Sequence, residues 1–170
     1  ICAFFGRYEN FNGCRNTLFS APVSYQTIYV SKFIQVCLMT LLTQMWFAVL
    51  FVAAGKAVGL MGLPSVHIVT WIIRGMAGAL VIAALQFFLA AQVQSFATPV
   101  AMGAAGGVAG LLAANSRAGL FFPYSQMLLG MNSNKSEDVL GQNVLLFFAV
   151  CGLYLVCITA AGIWKLKRVP

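Results

Sequence analysis

The sequence predicts an all-α integral membrane protein with at least four transmembrane helices, and three observations carry that expectation. Of 170 residues, 61% are hydrophobic and 8% charged, with a mean hydropathy of +0.91. A soluble domain is about 45–50% apolar and about 25% charged. So little polar surface cannot coat a water-soluble globule, which excludes a soluble enzyme; disorder needs the opposite balance. Four stretches approach the roughly 20 apolar residues that cross a bilayer's hydrocarbon. Inside them polar residues are isolated, not gathered into a stripe of helical period. Five cysteines, an odd number without a CxxC pair, fit neither a secreted disulfide scaffold nor a zinc site.

In chain order, Ile1-Cys2-Ala3-Phe4-Phe5 (1–5) is expected to end a preceding span. Residues 6–32 are polar enough to leave the membrane. In them Pro22 would end one short helix, and Ser24 is a plausible N-cap for the next. The first complete span is expected over 33–54, interrupted only by Gln35, Thr40, Thr43 and Gln44. The second, 68–91, contains Arg74 and Gln86, and the third, 96–115, is short and glycine-rich. A longer connection, 116–143, leads to a last, uncharged span over 144–164 and a tail of 165–170.

Four spans place both ends on one side. That side carries six basic residues, Arg7, Arg15, Lys32, Lys165, Lys167 and Arg168; the other carries three, Lys56, Arg117 and Lys135. The positive-inside rule then predicts a multi-pass protein with both ends in the cytoplasm. The net charge of +7 thus records topology. No basic face is collected as a nucleic-acid binder needs, so no such partner is expected.

The inventory for catalysis is poor: one histidine (His67) and three carboxylates, Glu9, Glu137 and Asp138. No GxxxxGK[ST] loop is present to wrap nucleotide phosphates. The Gly103/Gly107 and Gly106/Gly110 pairs form two overlapping GxxxG repeats, expected to admit a neighbouring helix backbone, or else to hinge. Arg74 would snorkel to the outer interface, or face a substrate path, or pair with Glu137 or Asp138. Leu18 and Phe19, in short helices rigidly joined to the first span, could form a lever pushed by a cytoplasmic partner. The bland alternative is a connector lying on the lipid surface. Residues 120–124 and 127–129 are too apolar for a free loop and too short for a span. They are expected to dip back into the outer leaflet, Pro123 near the turn, with Phe122 and Tyr124 beside a substrate exit. A surface-lying helix is the alternative.

Glu9, Leu18, Pro22-Val23-Ser24, Ile28-Tyr29 and Lys32 resemble the segment between the second and third spans of type-2 ABC-transporter permeases. Tyr25 departs from the basic residue usual there. Leu85-Gln86-Phe87-Phe88-Leu89, Asn115-Ser116 and Leu120-Phe121-Phe122-Pro123-Tyr124-Ser125 are similar to the lantibiotic-immunity branch. The resemblance implies the last four of six spans. It implies a permease without its own ATPase, paired with a second permease subunit and an ATP-binding cassette dimer that holds ATP and Mg²⁺. The cargo implied is an amphipathic antimicrobial peptide, expelled from a bacterial plasma membrane. Glu9, Leu18, Phe19, Pro22, Tyr29 and Lys32 would then couple to the ATPase. A non-transporting scaffold or sensor, and an exporter of lipid or drug, are the alternatives.

Overall fold

A computed structural model describes residues 2–4, 24–59, 66–93, 95–133 and 137–166. Glu9, Leu18, Phe19 and Pro22 lie outside the described residues. Four principal helices follow in order: α1 (Tyr25–Ala57), α2 (Val66–Gln92), α3 (Ala97–Ala113) and, after an irregular connection, α5 (Val144–Leu166). The connection holds 3₁₀ turns at Arg117–Phe121, Pro123–Ser125 and Gly141–Asn143, and one short helix, α4 (Gln126–Gly130). Among the described residues there is no strand.

Among the described residues three helices, α1, α2 and α5, are long and apolar enough to cross a membrane. At 1.5 Å per residue they measure about 50, 40 and 35 Å, against about 30 Å of hydrocarbon. With 17 residues, α3 lies over the third expected span and is a shorter apolar helix of about 25 Å. Its end is set by local bonds. The Ser116 hydroxyl donates to the Ala113 carbonyl (2.9 Å) and the Asn115 amide to Leu111 (3.2 Å), capping the last turn.

Helix α1 begins at Tyr25, directly after the expected N-cap, and runs unbroken into the expected span. Ser24 caps it: its hydroxyl accepts from the Thr27 N–H at 3.3 Å. Tyr29, Phe33 and Val36 then fall on one face at helical spacing and pack as a unit. The last third of the expected coupling segment is therefore continuous with the span. At the other end Val58 N–H bonds the Ala54 carbonyl (3.1 Å) and Gly59 the Lys56 carbonyl (3.0 Å). Gly59 has φ +86°, the left-handed stop that glycine adopts without strain.

Helix α2 is the hub, packed by α1, α3, α4 and α5. Two apolar clusters hold it. Tyr29 and Val36 of α1 meet Ala83 and Phe87 of α2, with Cys2, Phe33 and Ile163 around them. Val81 of α2 meets Phe147 and Cys151 of α5 and Leu140 of the connection. Lys165 of α5 donates to the Gln92 side chain at the last turn of α2. Most of α1 beyond Gln44 is apolar and exposed, including Met45, Trp46, Val49 and Phe51, a surface suited to lipid.

Candidate functional site

The connection between α3 and α5 folds back against the middle of α2. Gly78 lies twelve residues past Val66, about 18 Å along a helix about 40 Å long. A Cβ on Gly78 would stand 2.5 Å from backbone atoms of Gln126 and Met127, and one on Gly130 would stand 2.6 Å from the Arg74 carbonyl oxygen. Real Cβ atoms do not approach backbone so closely. These glycines are what lets α4 lie backbone-to-backbone on α2.

Irregular backbone packed this closely against a helix needs partners for its polar groups. The segment draws them from side chains. The Ser125 hydroxyl, fully buried, lies within bonding reach of the Gly119 and Phe122 carbonyls, the latter at 2.8 Å. The Gln126 amide, also fully buried, donates to the Leu120 carbonyl, and its own carbonyl accepts from the Cys151 thiol at 3.5 Å. Tyr154 of α5 donates to the Phe121 carbonyl. Four consecutive carbonyls, 119 to 122, are thus engaged by three side chains.

Tyr124 ties the segment to two helices. Its hydroxyl lies 2.7 Å from the Gln86 amide of α2. With that amide oriented to satisfy both atoms, its oxygen accepts from Tyr124 and its nitrogen donates to the Pro99 carbonyl at 3.1 Å. On α3, the Tyr124 ring covers Gly106 and its backbone abuts Gly110, where a Cβ would fall 2.5 Å and 2.7 Å from Tyr124 atoms. Gly103 faces the Gln86 side chain, and Gly107 meets no atom within 4 Å. The GxxxG face expected to receive a helix backbone instead receives one tyrosine and one glutamine. Phe122 stands beside Tyr124, ring centroids 6.1 Å apart, and Pro123 opens the second 3₁₀ turn.

Arg74 does not join this cluster. It lies twelve residues from Gln86 on α2, about 18 Å along the axis, and secures the far end of the connection. Of the alternatives open in the sequence it takes the acid pair: its guanidinium donates to both Asp138 oxygens, at 2.8 and 3.0 Å. The Arg74 side chain is 14% exposed and that of Asp138 32%. The hydrogen bond from Arg74 holds the Asp138 carboxyl below the usual carboxylate range, against a smaller opposing effect of burial. Asn132, at φ +51°, clamps the same stretch by donating to the Glu137 carbonyl (3.0 Å) and accepting from the Val139 N–H (3.1 Å). His67 is exposed, with its ring 6.3 Å from that of Trp71.

Of the coupling residues, Tyr29 and Lys32 are described. Tyr29 points inward: it is 3% exposed, packs on Phe87 at 5.0 Å between centroids and abuts Gly162 of α5. Its side chain therefore joins α1 to α2 and α5. Gln86, Ser125, Gln126 and Tyr154 are the residues that sequence reasoning missed. Isolated polar side chains in otherwise apolar stretches, Ser125 and Gln126 in the connection, Gln86 in α2 and Tyr154 in α5, were the available signal. Among the described residues no group of His, Cys, Asp and Glu could hold a metal.

Comparison with curated proteins and with solved structures gives no match. Residues 1–110, most of the chain including all of α1 and α2 and most of α3, match the family described as ABC-2 family transporter protein. Long apolar helices packed around α2 agree with that match, and the chain belongs to the ABC-2 family of transporter proteins, as a multi-pass membrane permease.

Proposed function

We propose that this permease is the membrane half of an ATP-driven bacterial exporter that expels an amphipathic antimicrobial peptide, as in lantibiotic self-protection. The observation that carries the reading is the folded-back connection. It buries its own polar backbone against α2 while leaving Phe121 exposed and Phe122 and Tyr124 half-buried. A surface with apolar side chains and satisfied carbonyls suits a cargo that is itself part apolar and part polar. On this reading the connection dips into the outer leaflet and both chain ends are cytoplasmic, supported by the six-to-three excess of basic residues on that side.

ATP and Mg²⁺ belong to a partner ATP-binding cassette dimer, and a second permease subunit completes the pathway. Leu18 and Phe19 dock on the ATPase, Glu9, Pro22 and Lys32 shape that contact, and continuous α1 carries its motion to Tyr29 and α2. The rigid join at Tyr25–Ala57 supports a lever of this kind.

The test is reconstitution of the full chain with its ATPase in proteoliposomes. Peptide should stimulate ATP hydrolysis and leave the outer leaflet in an ATP-dependent way. The double variant Leu18→Asp, Phe19→Asp should insert normally yet uncouple hydrolysis from export. Normal export in that variant would favour a passive lipid-surface helix. A phenotype that survives an ATPase-dead partner would favour a scaffold or sensor.

A further inference from the structure

A cleft of about 420 Å³ opens between residues 2–4, α1, α2 and α3, within the range of about 300–1,000 Å³ that small-ligand sites occupy. Its walls are small and apolar, Ala79, Ile82, Ala83 and Val100 among them, and no charged side chain lines it among the described residues. The hydroxyls of Thr40 and Thr43 on its α1 side are already engaged, each donating back to its own helix at 2.8 Å. Gln86 is held by Tyr124.

Gln44 is different. It lines the cleft, yet only 6% of it is exposed. Its amide nitrogen meets the Met131 sulfur at 3.5 Å, a weak acceptor. Its carbonyl oxygen takes no hydrogen bond among the described residues. A carboxamide oxygen that stays open to the cleft without a protein partner, beside an amide nitrogen held only by sulfur, keeps hydrogen-bonding capacity for a ligand in the cleft.

We propose that this cleft binds an uncharged, apolar peptide segment, with the Gln44 carboxamide pairing to one main-chain peptide group of that ligand. The inference rests on the peptide-export reading above. A peptide group in hydrocarbon must satisfy one donor and one acceptor, and a carboxamide offers the complementary acceptor and donor. A charged side chain would find no counter-charge here, so the cationic part of an amphipathic peptide stays outside. A bare hydrocarbon chain of a lipid would leave Gln44 unsatisfied.

The test uses the full chain with its ATPase in phosphatidylcholine nanodiscs. The probe is a synthetic amphipathic peptide whose uncharged half carries a benzophenone. Crosslinks should map to the cleft wall, at Thr43 or Val100. Gln44→Leu, similar in size and at ease in an apolar wall, should weaken peptide binding about tenfold, the scale of one lost hydrogen bond. Val100→Trp, which fills the cleft from α3, should abolish the crosslink while the protein stays monodisperse. Crosslinks elsewhere, or binding within twofold of wild type for Gln44→Leu, would overturn the proposal. So would labelling of the cleft by a photoactivatable phosphatidylcholine that the peptide fails to displace, which marks a lipid site. ATP-driven efflux without cleft labelling sinks this site alone. Cleft labelling without any ATP-dependent efflux sinks the export reading and leaves the peptide site standing.

Discussion

Replacing Gln126 by Met removes the amide that donates to the Leu120 carbonyl while roughly preserving side-chain volume. Because Gln126 is fully buried, water cannot take over that carbonyl in the folded state. Leaving a buried acceptor unsatisfied costs about 1–3 kcal/mol. A loss of about 2 kcal/mol raises the population of the opened connection about thirtyfold. Cys151 is the natural reporter, since it is 2% exposed and its thiol lies against Gln126. In a background with Cys2, Cys14, Cys37 and Cys157 replaced by Ser, N-ethylmaleimide should label Cys151 about thirtyfold faster in Gln126→Met. Tyr154→Phe removes one bond of the same set at a more exposed site. Hydrogen bonds within membrane proteins average about 0.6 kcal/mol, so the rise there should be about threefold. An unchanged rate in Gln126→Met would mean that the Leu120 carbonyl finds another donor, and the account of how the fold-back is held would be wrong.

Gly106→Ala should destabilise the protein by about 1–3 kcal/mol, because the added carbon meets the Tyr124 ring. Gly107→Ala, into open space, should stay within about 0.5 kcal/mol; equal losses on thermal unfolding would refute the assignment of the face. Tyr29→Phe should leave stability unchanged or raise it by up to about 1 kcal/mol, since the Tyr29 hydroxyl is buried without a hydrogen-bond partner among the described residues. A clear loss would reveal a partner. Asp138 ionises more readily folded than unfolded, so its pairing with Arg74 stabilises above the unfolded carboxylate value of about 3.9 and is lost as pH falls through the lower folded value. Hydrogen exchange across 132–140, corrected for intrinsic rates, should therefore be flat from about pH 5 to 8 and rise only in acid. Asp138→Asn should show the raised exchange at every pH, and a flat profile into strong acid in the wild type would contradict the pairing.

The membrane class was legible in composition, and the long helices in their apolar runs, because burial in lipid demands hydrophobicity whatever the tertiary partners. The start of α1 was legible in its Ser24 cap; its unbroken run from there into the span was less so. Gln26, Thr27 and Ser31 face outward, and only the inward row of Tyr29 and Phe33, visible once Phe87 stands opposite, shows that the helix continues. The pairing of Arg74 with Asp138 was one of several options in the sequence, since 64 residues separate them and no local rule relates them. Least legible was the destination of the glycine repeat. Small residues at i and i+4 announce a close approach but not what approaches, and a tyrosine from a 3₁₀ turn fills the space as readily as a helix. The polar set Ser125, Gln126 and Tyr154 was hidden for the same reason. Each reads as an incidental polar residue until the carbonyls of 119–122 are seen beside it.

Those carbonyls also impose an order on biogenesis. Tyr154, which takes the Phe121 carbonyl, and Cys151, which engages Gln126, both belong to α5, which leaves the ribosome after the connection that it secures. Until that helix is made, the connection has no complete set of partners, and its peptide groups are better served by water at the membrane surface. The nascent chain should therefore insert α1, α2 and α3 before α5 and hold the connection at the membrane surface as a waiting strap. Arrival of α5 then lets the strap drop into its slot on α2. A stop codon placed before Tyr154 would strand the chain at that stage, exposing Gly78 and the rest of an empty slot to whatever surveys unassembled membrane proteins.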